Sequence, residues 1–208
     1  MQSGQQDRTS HAFQLIAGDP ALDLVNTLDW RFRESGHEEK IAGYDDLLHF
    51  VEQSGLLPAK LAKSLRRAAS AYAGSHVVEE VRGLREALSD LLYSGLDGRN
   101  SSAAALRTLE RFFREAREQT RLVRDGSRLK WEWSGAETKP EFPLWLLTRV
   151  ASRLLLSENV QQVRACANPE CRWLFMDTSK NHTRRWCDMK LCGNRMKARR
   201  YKASHAAD

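Results

Sequence analysis

All four cysteines of this chain lie in residues 161–208, and their spacing is the feature that most constrains the fold. They form two pairs, Cys166 with Cys171 and Cys187 with Cys192, in the pattern C-x4-C-x15-C-x4-C. Zn2+ binds four thiolates at about 2.3 Å in a tetrahedron, so its ligands arrive as two local pairs joined by a segment that reverses the chain. We therefore predict that the four cysteines bind one Zn2+, with disulfides or free thiols as the alternative.

The same segment carries the positive charge of the protein. Of the formal net charge of +6, residues 161–208 hold 11 Lys and Arg against four Asp and Glu, whereas residues 1–160 are nearly neutral. This asymmetry is typical of proteins that bind nucleic acid, although a solubilising tail has a similar composition. No run reaches the roughly 18 apolar residues of a membrane span, and the polar start of the chain lacks a secretory signal. We expect a cytoplasmic protein with no membrane partner.

Residues 161–208, here called the cysteine module, have the local pattern of a small fold wrapped around a metal. Strands are predicted at Val163–Cys166 and Arg172–Asp177, and a helix from Asp188 onwards. A knuckle, a hairpin and a helix around zinc form a treble-clef-like arrangement. So short a module buries only a small core, and bound metal supplies the missing stability. His182 is predicted to be a solvated loop residue, because four sulfur atoms complete the coordination shell.

The basic residues of the cysteine module are the candidate DNA contacts. At about 100° per helical residue, Arg195, Arg199 and Lys202 fall on one stripe, with Lys197 and Arg200 further round. Arg195 lies one turn from a four-thiolate zinc centre of charge near −2, so we expect it mainly to hold the ligand thiolates or a nearby backbone carbonyl and only secondarily to contact DNA. The other basic residues are predicted to neutralise phosphates. This predicted set is Arg184, Arg185, Lys197, Arg199, Arg200 and Lys202.

Residues 1–160, here called the helical domain, show the apolar periodicity of amphipathic helices. Apolar residues from Val77 to Leu91 recur at spacings of four and three, which places them on one stripe of a long helix. We interpret such stripes as the core of a helical bundle. The alternative is a coiled-coil seam, which would make the protein a homodimer. Further helices are predicted at Ala21–Trp30 behind an Asp19-Pro20 cap, Tyr44–Ser54, Ala59–Tyr72, Leu106–Ala116 behind a Ser101-Ser102 cap, and Leu144–Ser157.

Two short β elements are predicted within the helical domain. The turn Asp125-Gly126-Ser127 indicates a hairpin over Arg121–Trp133, with Trp131 and Trp133 on one face. We expect both tryptophans to be buried; base stacking by exposed rings is the alternative. A hairpin is marginal alone, so it should pack on the helices or pair with a second predicted strand at His11–Ile16.

No catalytic constellation is evident in the sequence. It lacks Gly-x-Ser-x-Gly, a P-loop and His-Glu-x-x-His, and its six histidines are scattered. Asp23, Asn26 and Asp29 follow one another at spacings of three on a predicted helix. They could line a polar ligand pocket, or serve only as capping and surface charge. We expect that the protein is not an enzyme and has no catalytic residues.

Several motifs resemble known families. Phe175-Met-Asp-Thr-Ser-Lys-Asn181, Arg184-Arg-Trp-Cys187 and Cys192-Gly-Asn-Arg195 closely resemble the CGNR zinc-finger family. Leu22-Asp-Leu-Val-Asn-Thr-Leu-Asp29 resembles the opening motif of the ABATE domain, which precedes that finger in bacterial proteins described as stress-induced transcription regulators. The resemblance implies that the four cysteines are zinc ligands and that a DNA-binding finger follows a helical domain.

The sequence thus predicts a mainly α protein with small β elements, divided into a helical domain (1–160) and a zinc-binding module (161–208). The leading hypothesis is a zinc-dependent bacterial transcription regulator, whose module binds double-stranded DNA and whose helical domain senses a signal or dimerises. A zinc-stabilised module for protein or RNA interaction and a thiol-based redox switch are the alternatives. The sequence does not specify the DNA site, the effector, the direction of regulation or the oligomeric state.

Overall fold

A computed structural model describes residues 12–205 of the chain, and this part is mainly helical, as predicted. Within residues 12–205, three two-stranded antiparallel sheets accompany the helices: β1 (Leu28–Asp29) with β2 (Glu38–Glu39), β3 (Thr120–Asp125) with β4 (Arg128–Trp133), and β5 (Val163–Ala165) with β6 (Leu174–Met176). The helices are α1 (Pro20–Asn26), α2 (Tyr44–Gln53), α3 (Ala59–Ala68), α4 (Ala71–Leu96), α5 (Ala103–Glu118), α6 (Phe142–Leu155) and α7 (Asn194–His205). None of the described helices is both long and apolar enough to cross a bilayer.

The helices begin at the caps that the sequence indicates. The Asp19 carboxylate accepts a hydrogen bond from Ala21 N at 2.8 Å at the start of α1, and the Ser102 hydroxyl accepts one from Ala105 N at 3.0 Å at the start of α5. The predicted helix Ala21–Trp30 is too long, because α1 ends at Asn26. The backbone after Thr27 instead pairs as β1 with β2.

The predicted strand at His11–Ile16 is wrong for the described residues 12–16, which form no strand; His11 lies outside the described residues. The side-chain amide of Gln53 takes the place of a strand partner. It accepts a hydrogen bond from Phe13 N at 2.8 Å and donates one to Phe13 O at 2.6 Å. The β3–β4 hairpin is therefore a sheet of two strands.

The main core is a helical bundle around the long helix α4. Val77, Val81, Leu84 and Leu88 on α4 are buried against other residues of this chain, as the bundle interpretation predicts. Helix α6 enters the same core with Pro143 in its first turn, where a missing N–H has no cost. The buried stripes thus stabilise the chain internally through apolar contact.

Strand β6 connects the cysteine module to the bundle because its side chains alternate between two cores. Leu174 and Met176 are buried in the main core with the helices. Trp173, immediately before β6, and Phe175 are buried in a second core with the four cysteines. Trp30 of the helical domain packs on this second core. The cysteine module is therefore docked on the helical domain.

Candidate metal centre

The four cysteine side chains meet in one buried cluster. Their sulfur atoms all lie within 4.8 Å of one another, and the Sγ atoms of Cys171 and Cys187 are 3.8 Å apart. In a tetrahedral ZnS4 centre with bonds of about 2.3 Å, neighbouring sulfur atoms are about 3.8 Å apart. The donor set and its spacing therefore fit one Zn2+, held by Cys166, Cys171, Cys187 and Cys192.

Electrostatic coupling among the thiols also favours a cation. Hydrogen bonds from the neighbouring thiols lower the pKa of Cys166 below its usual value, and the same interactions raise the pKa of Cys171 above it. Four buried sulfur atoms so close together cannot all ionise without a compensating charge. A divalent cation supplies that charge, since metal binding replaces the thiol protons.

The first cysteine pair is shaped by Asn168. The Asn168 carbonyl accepts hydrogen bonds from Cys171 N at 3.1 Å and Arg172 N at 2.9 Å. Its fully buried side chain donates to the Cys192 sulfur at 3.6 Å. Asn168 therefore connects the two cysteine pairs. The dipeptide Asn168-Pro169 marks the turn in the sequence but not the contact between side chain and sulfur.

Cys192 of the second pair lies on a tight π-helical turn, Met189–Gly193, which precedes α7. The Asp188 carboxylate caps this turn by accepting a hydrogen bond from Leu191 N at 2.8 Å. A Cβ atom on Gly193 would collide with the Met189 sulfur and lie 3.2 Å from the Trp186 ring. Glycine at this position avoids both close contacts, the shorter of which is with the flexible, partly exposed side chain of Met189.

Arg184, predicted to contact DNA, is turned into the cysteine module. Its guanidinium donates to Trp186 O at 2.9 Å and to Cys187 O, and it lies 4.3 Å above the Phe175 ring. Backbone carbonyls around the second cysteine pair therefore occupy the donors that phosphate binding would require. We exclude Arg184 from the candidate DNA contacts for this reason.

The side chain of Arg195 also lies elsewhere than expected, since the sequence predicted that it would lie beside the thiolates. It is the second residue of α7, exposed, and its guanidinium carbon lies 4.6 Å from the centre of the Trp30 ring. Among the described contacts, the side-chain donor to a cysteine sulfur is Asn168 rather than Arg195. The helix directs Arg195 away from the cluster and towards the helical domain.

The remaining predicted DNA contacts are exposed. Arg199 forms an ion pair with Glu170 at 2.9 Å, so its charge is partly neutralised. Lys197, Arg200 and Lys202 make no ion pair within the described part of the chain, and Arg185 lies 5.5 Å from the centre of the Trp186 ring. His182 is an exposed loop residue that lies outside the cysteine cluster, as predicted; its Nδ1 is 2.9 Å from Asp177 O.

The polar stripe of α1, formed by Asp23, Asn26 and neighbouring Asp29, holds the cysteine module. The Asn26 amide donates to Leu174 O and accepts from Leu174 N, both at 2.9 Å. Asp29 accepts from the Trp173 indole N–H at 3.0 Å. Neither capping nor surface charge describes this stripe, because its side chains bind a strand far away in the sequence.

Asp23 supports the same contact indirectly. It is buried and accepts a hydrogen bond from Ala17 N at 3.0 Å, while Ala17 O accepts one from Met176 N at 2.7 Å. Burial raises the pKa of Asp23 to about 6. A small cavity of about 110 Å³ lies beside the stripe and is lined in part by Asp23, Asp29, Phe13 and Trp173. The ligand pocket that the sequence suggested at Asp23, Asn26 and Asp29 thus corresponds to this small cavity, which lies where α1 meets the cysteine module.

Arg172 forms a second connection between the cysteine module and the helical domain. Its guanidinium donates to Asp97 at 2.7 Å and lies over the rings of Phe32 and Tyr93. The Tyr93 hydroxyl donates to Arg172 O at 2.9 Å. The helical domain therefore binds the module on both sides of Trp173 in the sequence, at Arg172 through these contacts and at Leu174 through the polar stripe of α1.

The fold and the site define a helical protein with a docked tetracysteine metal-binding module. Residues 18–158 match the ABATE family model, whose description is "Putative stress-induced transcription regulator", and residues 162–205 match the CGNR zinc finger. The chain belongs to the ABATE family and carries a CGNR zinc finger behind that domain, in the order that the motifs indicated. Comparison with curated proteins finds no match.

Proposed function

We propose that the protein is a zinc-dependent, DNA-binding transcription regulator of the cytoplasm, without catalytic activity. The family description and the tetracysteine cluster support a metal-binding regulator. Bound Zn2+ would crosslink the two cysteine pairs and so hold the turn from which α7 begins. The single observation that carries DNA binding is the arrangement of charge around α7.

Helix α7 extends from the module with none of its side chains buried. Its 12 residues contain five Arg or Lys and no Asp or Glu. At 1.5 Å per residue the helix is about 18 Å long, and its diameter of about 10–12 Å suits the major groove of B-DNA. A basic helix that projects in this way is the element that a major groove admits.

The positions of the side chains around α7 distinguish backbone contacts from base contacts. Met196 is half-buried and marks the inner side. At about 100° per residue, Asn194, Ala198 and Tyr201 lie on the opposite, outward side. Lys197 flanks this side on one edge, and Lys202 flanks it on the other.

This arrangement suggests which side chains of α7 would contact the DNA backbone and which would contact the bases. Cations on both edges would meet the phosphates of the two strands, while the outward side would face the base edges. Asn194 offers the amide that binds adenine bidentately, and Tyr201, which is 64% exposed, offers a hydroxyl. Neither residue carries a charge, so a ranking of the sequence by charge does not select them.

The proposal is tested by fluorescence anisotropy with the zinc-loaded full chain and a labelled DNA duplex, over a series of salt concentrations. We expect log K to fall linearly with log salt, and Lys197→Ala to reduce the slope by about 0.9 for all duplexes. Lys63→Ala, which removes an exposed lysine of α3, is the matched control and should leave the slope unchanged.

A second variant separates base contacts from phosphate contacts. Asn194→Ala should change the preferred sequence, selected from a random duplex pool, with an unchanged salt slope. No duplex binding by the zinc-loaded chain, or equal slopes for Lys197→Ala and wild type, would overturn the proposed function.

A further inference from the structure

The β3–β4 hairpin has two faces of different character. Its register places Leu122 opposite Trp131 and Arg124 opposite Leu129, so these four side chains share one face, here called the ribbon face. Trp133 lies at the inner end of this face and packs edge-on against Phe142, with ring centres 5.2 Å apart. The inner end is thus covered by α6.

The outer part of the ribbon face is uncovered. Leu122 is 50% exposed, Leu129 63% and Trp131 48%, contrary to the expectation that Trp131 is buried. Single exposed apolar residues are ordinary, but adjacent ones on a projecting sheet mark an interaction surface. Leu122 and Trp131 are directly opposite each other across the two strands, and Leu129 is the next residue of β4 on the same face, so the three side chains are neighbours.

The opposite face has the features of a solvated surface. There Arg121 pairs with Glu132 at 3.2 Å, and Lys130 pairs with Asp125 at 3.1 Å. Both acidic residues of the hairpin lie on this face. The ribbon face therefore contains no carboxylate of the hairpin.

The ribbon face does contain positive charge without a partner. Arg124 forms no ion pair among the residues that the structure describes. The Arg117 guanidinium stacks on Trp131, 3.0 Å from the ring centre, and donates to the Thr120 hydroxyl at 2.8 Å. Two guanidinium groups thus border the exposed apolar side chains.

We propose that the ribbon face docks an acidic amphipathic helix of another protein. A helix packed on a sheet face is a standard layer of protein structure, and a six-residue strand of about 20 Å spans between three and four helical turns. The apolar stripe of the helix would cover Leu122, Leu129 and Trp131. Its flanking carboxylates would pair with Arg117 and Arg124.

Charge and shape disfavour the two other occupants. A second copy of the ribbon face would bring Arg124 and Arg117 of both chains together without a carboxylate to separate them. Nucleic acid requires an open aromatic face for base stacking, whereas Arg117 already covers one face of Trp131. The remaining exposed side chains, Leu122 and Leu129, are aliphatic.

The test uses the full chain and a fluorescein-labelled peptide of about 18 residues, with Leu on one helical face and Glu on the flanks. A second peptide carries Lys in place of Glu. The Glu peptide should bind, and the double variant Leu122→Ser/Leu129→Ser should raise its Kd by about tenfold or more. Arg124→Glu should have a similar effect, whereas Lys130→Ser on the opposite face should change Kd less than about twofold. Circular dichroism would verify that each variant is folded.

The remaining outcomes overturn the proposal. If the Glu peptide fails to bind, or binds the ribbon-face variants as well as wild type, the surface does not dock an acidic helix. A dimer in sedimentation that Leu129→Ser dissociates would assign the face to a second copy. Loss of single-stranded DNA binding in the same variants would assign it to nucleic acid. Because the ribbon face is separate from α7, none of these results depends on duplex binding.

Discussion

Replacing Asn26 by Ala should weaken the docking of the cysteine module on the helical domain. The Asn26 amide forms two hydrogen bonds of 2.9 Å with the backbone of Leu174, and both residues are buried. Alanine leaves the N–H and the C=O of Leu174 without a partner, and each buried unsatisfied group costs about 1–3 kcal/mol. We expect the free energy of unfolding to fall by about 2–6 kcal/mol.

Denaturant unfolding of the zinc-loaded protein measures this loss, and hydrogen exchange locates it. Exchange should accelerate most in β5 and β6, because these strands lose their connection to α1. Asn181→Ala is the matched control: it removes the same group from an exposed position of the same module. If Asn26→Ala is as stable as the control to within about 0.5 kcal/mol, the polar stripe does not hold the module.

Three further predictions concern the junction and the metal centre. Because burial raises the pKa of Asp23 to about 6, the folded chain binds its proton more tightly than the unfolded chain. As pH rises from about 4 to 6, the free energy of unfolding of wild type should therefore fall by up to about 3 kcal/mol relative to that of Asp23→Asn. Denaturation measured across this pH range would contradict the prediction if the difference between the two proteins stayed constant. Arg184→Lys should weaken zinc binding about 10- to 100-fold in competition with a chelator, because Lys cannot bind two carbonyls with a planar fork, while Arg185→Lys should not. Gly193→Ala should lower the melting temperature, and adding Met189→Ala should restore part of the loss; no recovery would exclude the predicted collision.

The sequence predicts best those features whose causes are local. The two cysteines of each pair are separated by four residues, so their spacing alone indicates one metal site. The Ser102 cap and the Gly126 turn are also determined within a few residues, and both are confirmed. The buried stripe of α4 follows from helical periodicity.

Features that depend on distant partners could not be predicted in this way. Asn26 and Leu174 are 148 residues apart, and nothing near either residue indicates the pair. The inward turn of Arg184 depends on where the fold places the carbonyls of Trp186 and Cys187. Arg195 is diverted by Trp30, which only the docked helical domain brings within reach.

The alternation of β6 between two cores also determines when the protein can finish folding. A ribosome that adds about 5–20 residues per second makes Asn26 about 7–30 s before Leu174. Throughout that interval the bundle lacks Leu174 and Met176, and the Asn26 amide has only water in place of the Leu174 backbone. The helical domain and the cysteine module are therefore not expected to complete their folding one after the other during translation. Completion of the bundle and closure of the cysteine cluster are expected to be one event, which follows synthesis of the last cysteine.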